Sequence, residues 1–464
     1  MVNRHIFREF SIRGIADRDL PDGVVTRIGQ AIGSFFRQRQ RQTLVVGQDV
    51  RNSSPRIGHA LINGLLAAGM DVVDVGVVPT PVLNFATDFY AAGGGVIVTA
   101  SHNPPEYNGL KVRADHTLSG EELREIYRIA TENSPEMTVS LPVSGAGPKR
   151  IDPLPVYAAH LSPHARIRRP LKVVVDAGDG TNGLIVPDLV QDWGCQVIPL
   201  YCEPDGDFPH RDPDPTAPGA TADLAARVQS EGADLGLAYD GDGDRLALVD
   251  EQGHPVLGDQ VLMLLARDVL RQGPAKVVYE IMCTQALADD VISHGGEPIM
   301  TASGYAFVHK AMHATGAALG GEFSGHLFFD EPGFRFDDSI LASLKILNIV
   351  SSSKVPLSAL VAELPSYYSS PQIRLACPDT IKAQVVEQIK NHYKASYPVD
   401  ELDGARVNFG DGWALVRASN TQPALSLRFE ARSQDNLERY QTQVLDQVEL
   451  WTTRLSQAAE SRAV

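Results

Sequence analysis

A strand-then-helix pattern that begins three times constrains this chain more than any other feature. Residues 43–47 (TLVVG) form an apolar, β-branched run of the kind buried in a parallel sheet. Polar residues follow, and then Ser54 and Pro55, which predict a helix N-cap and first helical position. Ile57, Leu61, Leu65 and Leu66 recur at helical spacing until Gly69 ends the run. Residues 70–78 and 95–99 read as two further strands. The pattern restarts at residues 171–175, continues through 195–200 and 233–239, and restarts again at 276–281. Such alternation predicts parallel βαβ units. The echoes keep no fixed period, so they predict three related α/β domains and not a solenoid.

The last hundred residues break the pattern. Residues 413–418 and 424–431 read as strands, the second with Leu425, Leu427 and Phe429 on alternate positions. Leu437, Tyr440, Val444, Val448, Trp451 and Leu455 then make a helical stripe, which predicts a small α+β domain. A chain of 464 residues accommodates three or four domains at roughly 100–200 residues each. Linkers are expected at 142–155, after Asp250, and at 351–356.

Charge narrows the partners. A formal net charge of −16 argues against nucleic acid, whose backbone needs clustered Lys and Arg, but leaves room for a local cationic pocket and a small anionic substrate. No run of 18 apolar residues predicts a membrane span, and the first residues carry no apolar core of signal-peptide type. Cys195, Cys202, Cys283 and Cys377 form no C-x-x-C pair, so reduced thiols in a cytoplasmic protein are expected.

Four segments carry chemistry. Thr99-Ala100-Ser101-His102-Asn103-Pro104 follows an apolar strand, where loops of parallel sheets face the ligand crevice. A serine there needs a base or a metal to act as a nucleophile. Asp240-Gly241-Asp242-Gly243-Asp244-Arg245 lies between two predicted strands, and three carboxylates at alternate positions suit one hard cation such as Mg²⁺. A calcium EF-hand competes, because Glu251 falls at the twelfth position from Asp240. Arg245 at the sixth position, where the turn wants glycine, and the β-rich flanks count against it. Glu322, Ser324 and His326 stand among glycines 320, 321 and 325; the first two suit vicinal sugar hydroxyls, and the imidazole suits proton transfer or a phosphate. Arg417, Ser419, Asn420 and Thr421 join the two late strands and offer a phosphate cradle. Taken alone, the first and third segments read more simply as turns.

Together, in this order and over essentially the whole chain, these segments resemble the α-D-phosphohexomutase superfamily, in its phosphomannomutase/phosphoglucomutase branch. The start, Phe7-Arg8-Glu9-Phe10-Ser11-Ile12-Arg13-Gly14, is similar to it as well. The resemblance implies three α/β domains with mixed sheets and a C-terminal α+β domain around a central cleft. Residues 1–150 would carry the phosphoserine, 151–252 the metal, 253–368 the sugar-recognition loop and 369–464 the phosphate loop. Ser101 matches the phosphoryl carrier. Ser101, Asp240, Asp242 and Asp244 match the Mg²⁺ ligands. His102, Arg13, Lys111 and His326 are expected at catalytic positions. Arg245, Glu322, Ser324, Arg417, Ser419, Asn420 and Thr421 are expected to hold the substrate. The implied activity interconverts hexose 1-phosphate and hexose 6-phosphate, of mannose or glucose, through a hexose 1,6-bisphosphate that also serves as activator. A monomer or dimer is expected.

Three positions depart from the family pattern. Met282 stands where a lysine is usual, Tyr305 where a histidine is usual, and Phe10 where a tyrosine is common. Met cannot carry charge, and a phenol with pKa near ~10 is a weak proton shuttle at neutral pH. These losses motivate an alternative, a weakened phosphosugar-binding paralogue.

Overall fold

The computed structural model describes residues 2–132, 147–419 and 423–463. Four sheets are present among them. The first runs Ile12–Ile15, Tyr107–Arg113, Gly94–Val98, Thr43–Gln48, Asp71–Val77 and Lys149–Arg150 across its width. Its Gly94–Val98, Thr43–Gln48 and Asp71–Val77 strands are parallel, and Tyr107–Arg113 returns antiparallel beside Gly94–Val98. The second sheet places Gln196–Leu200, Lys172–Asp176 and Leu235–Tyr239 in parallel, then Leu246–Asp250 antiparallel. The third repeats this with Glu297–Thr301, Lys276–Glu280 and Leu319–Gly321 in parallel and Leu327–Phe329 antiparallel. The sheets are therefore mixed, each with a parallel centre and one antiparallel return.

The fourth sheet is antiparallel throughout and is backed by the helices Lys382–Lys394 and Gln434–Ala463. Alternation within Ala424–Ala431 explains its two faces. Leu425, Leu427 and Phe429 pack on the helices with Val385, Ile389, Tyr440 and Val444. Ser426, Arg428 and Glu430 point the other way, yet they are only 3%, 1% and 1% exposed, because that face meets the third domain. Arg428 pairs with Asp259 at 2.9 Å, donates to the Met282 carbonyl, and stacks 3.9 Å above the Phe323 ring. Glu430 accepts from Gln285 N at 2.9 Å and Trp413 Nε1 at 2.8 Å.

One apolar core runs through the first three units, from Val45 and Ile97 through Tyr157, Val173 and Leu248 to Leu262 and Leu344. A second fills the other side of the first sheet, from Ile12 and Ile28 to Phe36 and Val112. Burial on this scale, at about 25 cal/mol per Å² of apolar surface, holds the first three units as one body.

The structure gives several local expectations a definite form. Ser54 is the first residue of the helix Ser54–Ala67 and not its N-cap; Ser53 flanks it, and the Ser54 hydroxyl is spent on Asp49 at 2.5 Å. Residues 351–356 are no inter-domain linker: they turn the chain from the helix Ser339–Ser352 into Leu357–Ala362 within the third unit. After Asp250 the chain makes a tight turn into Pro255–Val256, a fifth strand of the second sheet. Of the linker expected at 142–155, residues 142–146 lie outside the described residues, and Lys149–Arg150 is a sheet edge. The short strand Tyr368–Ser369 spans the expected 368/369 junction and pairs into the fourth sheet. No helix is long and apolar enough to cross a membrane among the described residues.

Candidate active site

The four chemistry-bearing segments occupy equivalent places. Each is the loop by which one strand returns antiparallel beside its neighbour: after Gly94–Val98, after Leu235–Tyr239, after Leu319–Gly321 and after Gly412–Ala418. All four meet at one cleft, which Ser101, Arg245, Glu322, Ser324, Arg417 and Ser419 line together.

Ser101 sits with φ +49, a left-handed backbone that a non-glycine residue holds at a cost of order 1–3 kcal/mol. Its N–H donates to Thr99 Oγ1 at 2.8 Å, and Arg51 Nη2 donates to its carbonyl at 2.8 Å. Arg51 is buried and also donates to the carbonyls of Asn103 (2.6 Å), Pro104 (2.6 Å) and Tyr107 (3.1 Å). One guanidinium thus clamps the serine loop. A Cβ on Gly241 would lie 2.7 Å from the Ser101 carbonyl oxygen, so the serine loop and the aspartate loop touch through backbone.

That approach places the Ser101 hydroxyl 2.8 Å from Asp240 Oδ2, to which it donates, and 3.2 Å from His102 Nδ1. Asp240, Asp242 and Asp244 are buried, and each offers an oxygen within 4.8 Å of the others. Burial and mutual repulsion push these carboxyls up, which holds for Asp240. Lys111 reverses this for Asp242 and Asp244, bonding Asp242 at 2.7 Å and Asp244 as well. Thr80 Oγ1 donates to Asp242 Oδ2 at 2.7 Å. Two buried oxygens, Asp242 Oδ1 and Asp244 Oδ1, have no hydrogen-bond partner among the described residues. An oxygen-only donor set with unpaired lone pairs fits a hard divalent cation. The EF-hand alternative fails here, because strands flank the loop and Glu251 turns away to bond Ser358.

The third loop is electrostatically linked to the second. His326 Nδ1 donates to Asp337 at 2.8 Å and Nε2 accepts from Arg245 Nε at 3.0 Å, the tautomer this network requires. Burial alone would lower its pKa; Asp244 and Asp337 outweigh that and raise it. Burial, then the charges of Arg245, Arg13, Lys111 and Arg374, hold His102 well below the usual imidazole range, so it is neutral. Arg13 donates to Asn103 at 2.8 Å. Glu322 accepts from Gly304 N at 2.7 Å and from the Ser324 hydroxyl at 2.9 Å. Arg417 is oriented by Asp403 at 2.8 Å, and Asp403 also accepts from Ser303 N at 3.0 Å. Ser419 lines the cleft; Asn420 and Thr421 lie outside the described residues.

The altered positions acquire structural roles. Tyr305 donates its hydroxyl to the Phe10 carbonyl at 3.0 Å and stacks on His326 at 5.3 Å. Burial raises its pKa further, so it ties the first unit to the third and does not shuttle protons. Met282 is 4% exposed and packs with Ile281, Trp413 and Leu415 between the third and fourth units. Sequence reasoning missed Arg8, Glu280, Gln372, Arg374 and Ser426, which also line the cleft, and Arg51, Thr80, Asp337 and Asp403 behind it. Glu280 is buried, and burial, then the Glu322 charge, push it up to about 7.

Comparison with known proteins follows the same division of the chain. The phosphoglucomutase/phosphomannomutase alpha/beta/alpha domains I, II and III match residues 4–137, 155–253 and 257–368, and the C-terminal domain matches 373–447. A phosphomannomutase/phosphoglucomutase of Pseudomonas aeruginosa is 41% identical over 441 residues, 94% of each chain. A phosphoglucomutase of Neisseria gonorrhoeae is 38% identical over 95% of this chain and 96% of its own. A crystal structure of a phosphoglucomutase/phosphomannomutase family protein from Burkholderia thailandensis superposes with TM-score 0.88 at 34% identity, covering 97% of this chain and 98% of that one.

Proposed function

The chain belongs to the phosphoglucomutase/phosphomannomutase family, and from that premise we propose that it interconverts hexose 1-phosphate and hexose 6-phosphate, of glucose, mannose or both, through a phosphoserine at Ser101. The observation that carries this is the 2.8 Å contact of Ser101 Oγ with Asp240, inside a buried aspartate triad at the mouth of a cation-lined cleft.

Phosphoryl transfer depends mainly on alignment and on neutralising charge over the phosphoryl oxygens. Asp240, Asp242 and Asp244, with Ser101, would hold Mg²⁺, which when bound supplies charge stabilisation and a template. Arg13, Lys111 and Arg245 add fixed positive charge around the serine. In transfer, the serine O–P bond breaks and a sugar O–P bond forms, and the sugar hydroxyl proton needs an acceptor. Neutral His102, with Nδ1 at 3.2 Å from Ser101 Oγ, and His326 are the proton-handling groups of this scheme. Glu322 and Ser324 would grip sugar hydroxyls, and Arg417, Ser419, Asn420 and Thr421 the phosphate that does not react. A hexose 1,6-bisphosphate leaves this step and turns so that the serine recovers the other phosphate; the same compound would prime the enzyme as activator. The four cysteines are free thiols, which supports a cytoplasmic setting.

The test is a coupled assay for glucose 6-phosphate from glucose 1-phosphate, with Mg²⁺ and a trace of glucose 1,6-bisphosphate. Ser101→Ala should abolish turnover without lowering thermal stability by more than a few degrees. Full activity in that variant refutes the phosphoserine. Absence of turnover in the parent, with mannose 1-phosphate as well, favours the weakened binding paralogue that Met282 and Tyr305 motivate.

A further inference from the structure

The fourth sheet presents a row of three side chains to the cleft. Arg417, Ser426 and Arg374 are direct cross-strand partners: Arg417 is opposite Ser426 on one side, and Arg374 is opposite Ser426 on the other. Opposed residues of antiparallel strands share a face, with Cβ atoms about 4.5–5.5 Å apart. All three line the cleft. Ser426 Oγ accepts from Gln372 Nε2 at 2.8 Å and lies 3.9 Å from Met282 Sδ. The row therefore runs past the residue that stands where the family's lysine is usual.

The two arginines differ in their surroundings. Arg417 is 7% exposed and tied to Asp403. Arg374 is exposed to the cleft, and its guanidinium has no hydrogen-bond or ion-pair partner among the described residues. Met282 lines the cleft beside this row and packs on Ile281, Trp413 and Leu415, but its thioether carries no charge.

We propose that Arg374 is a substrate-binding residue: a second guanidinium for the sugar phosphate, paired across Ser426 with Arg417, supplying from the fourth domain the positive charge that position 282 lacks. This rests on the mutase reading of the cleft. A planar guanidinium binds phosphate bidentately, and two guanidiniums around one hydroxyl make a site for a dianion. Substitution of the usual lysine by methionine then moves the cation from one wall of the cleft to the next.

Calorimetric binding of glucose 6-phosphate in the Ser101→Ala background, which blocks transfer, tests this. A charge-assisted hydrogen bond is worth about 1.5–3 kcal/mol, so Arg374→Ala should raise Kd about 10–100-fold. Arg374→Lys should keep part of the affinity, and Met282→Lys added to Arg374→Ala should restore part of it. Binding of unphosphorylated glucose should not change between variants. A Kd for Arg374→Ala within twofold of its parent overturns the assignment while leaving the mutase reading in place. No binding of glucose 6-phosphate or mannose 6-phosphate by the parent overturns both.

Discussion

Removing the guanidinium that clamps the serine loop should separate stability from catalysis. Arg51 and Asp49 are both 0% exposed, and their charges meet at 3.1 Å. Breaking a buried pair by deleting one partner costs about 3–5 kcal/mol, because the remaining charge is left uncompensated. Asp49 would keep two donors, the backbone N–H of residue 51 at 3.0 Å and the Ser54 hydroxyl at 2.5 Å, which places Arg51→Met at the low end. A domain of this size loses roughly 2–4 °C per kcal/mol, so melting should fall by about 6–12 °C. The four carbonyls Arg51 now holds, those of Ser101, Asn103, Pro104 and Tyr107, would lose their shared donor. With them goes the support for the strained φ of +49 at Ser101. A misplacement near 1 Å costs about 10²-fold in rate, so kcat should drop by that order with KM nearly unchanged. Pairing Arg51→Met with Asp49→Asn removes the stranded charge and should recover most of the melting temperature but none of kcat. Scanning calorimetry and the coupled mutase assay read the two quantities. A single variant that keeps kcat within threefold, or a double variant that regains it, refutes the clamp.

Two further outcomes follow from buried carboxylates. Burial and the Glu322 charge push Glu280 up to about 7 in the fold against 4.5 for the free side chain, so the folded protein holds the extra proton between those values and loses stability as pH rises through that window. At 1.36 kcal/mol per unit the penalty is about 3 kcal/mol above pH 7; Glu280→Gln should flatten the pH dependence of melting between pH 5 and 8, and parallel curves for variant and parent would count against the shift. Asp242 Oδ1 and Asp244 Oδ1 have no hydrogen-bond partner among the described residues, so Mg²⁺ at a hundred times its Kd should stabilise the protein by about 2.7 kcal/mol, EDTA should reverse this, and Asp242→Asn should abolish it. A melting temperature indifferent to Mg²⁺ would remove the triad as its site.

What could be seen in the sequence was local. The strand Ala424–Ala431 was legible to the residue because Leu425, Leu427 and Phe429 alternate. The aspartate loop was legible because three carboxylates within five residues repel unless something neutralises them. The groups that support the site were not legible, because their partners lie far away in the chain. Arg51 acts on residues about fifty positions on, and Tyr305 reaches back to Phe10. Polar residues on alternate positions of a strand ordinarily face water, so Ser426, Arg428 and Glu430 gave no sign that a second domain covers them. Arg374 is the same case on a four-residue strand, Ile373–Ala376, too short and mixed to stand out.

The placement of the four loops bears on how one cleft can handle both ends of a bisphosphate. A parallel return needs a crossover of a dozen residues or more, whereas an antiparallel return closes in a few. The loops here span the gaps from Val98 to Tyr107, Tyr239 to Leu246, Gly321 to Leu327 and Ala418 to Ala424, each anchored at both ends in a sheet ladder. The first three of these loops are described throughout, and short loops held at both ends pay their ordering cost on folding and not on binding. The cations are also spread over the walls: Arg8, Arg13 and Lys111 on the first, Arg245 on the second, Arg374 and Arg417 on the fourth. In a protein of net charge −16 this local concentration favours a bound phosphate over a free one, so an intermediate that lets go of one wall still faces positive charge on another.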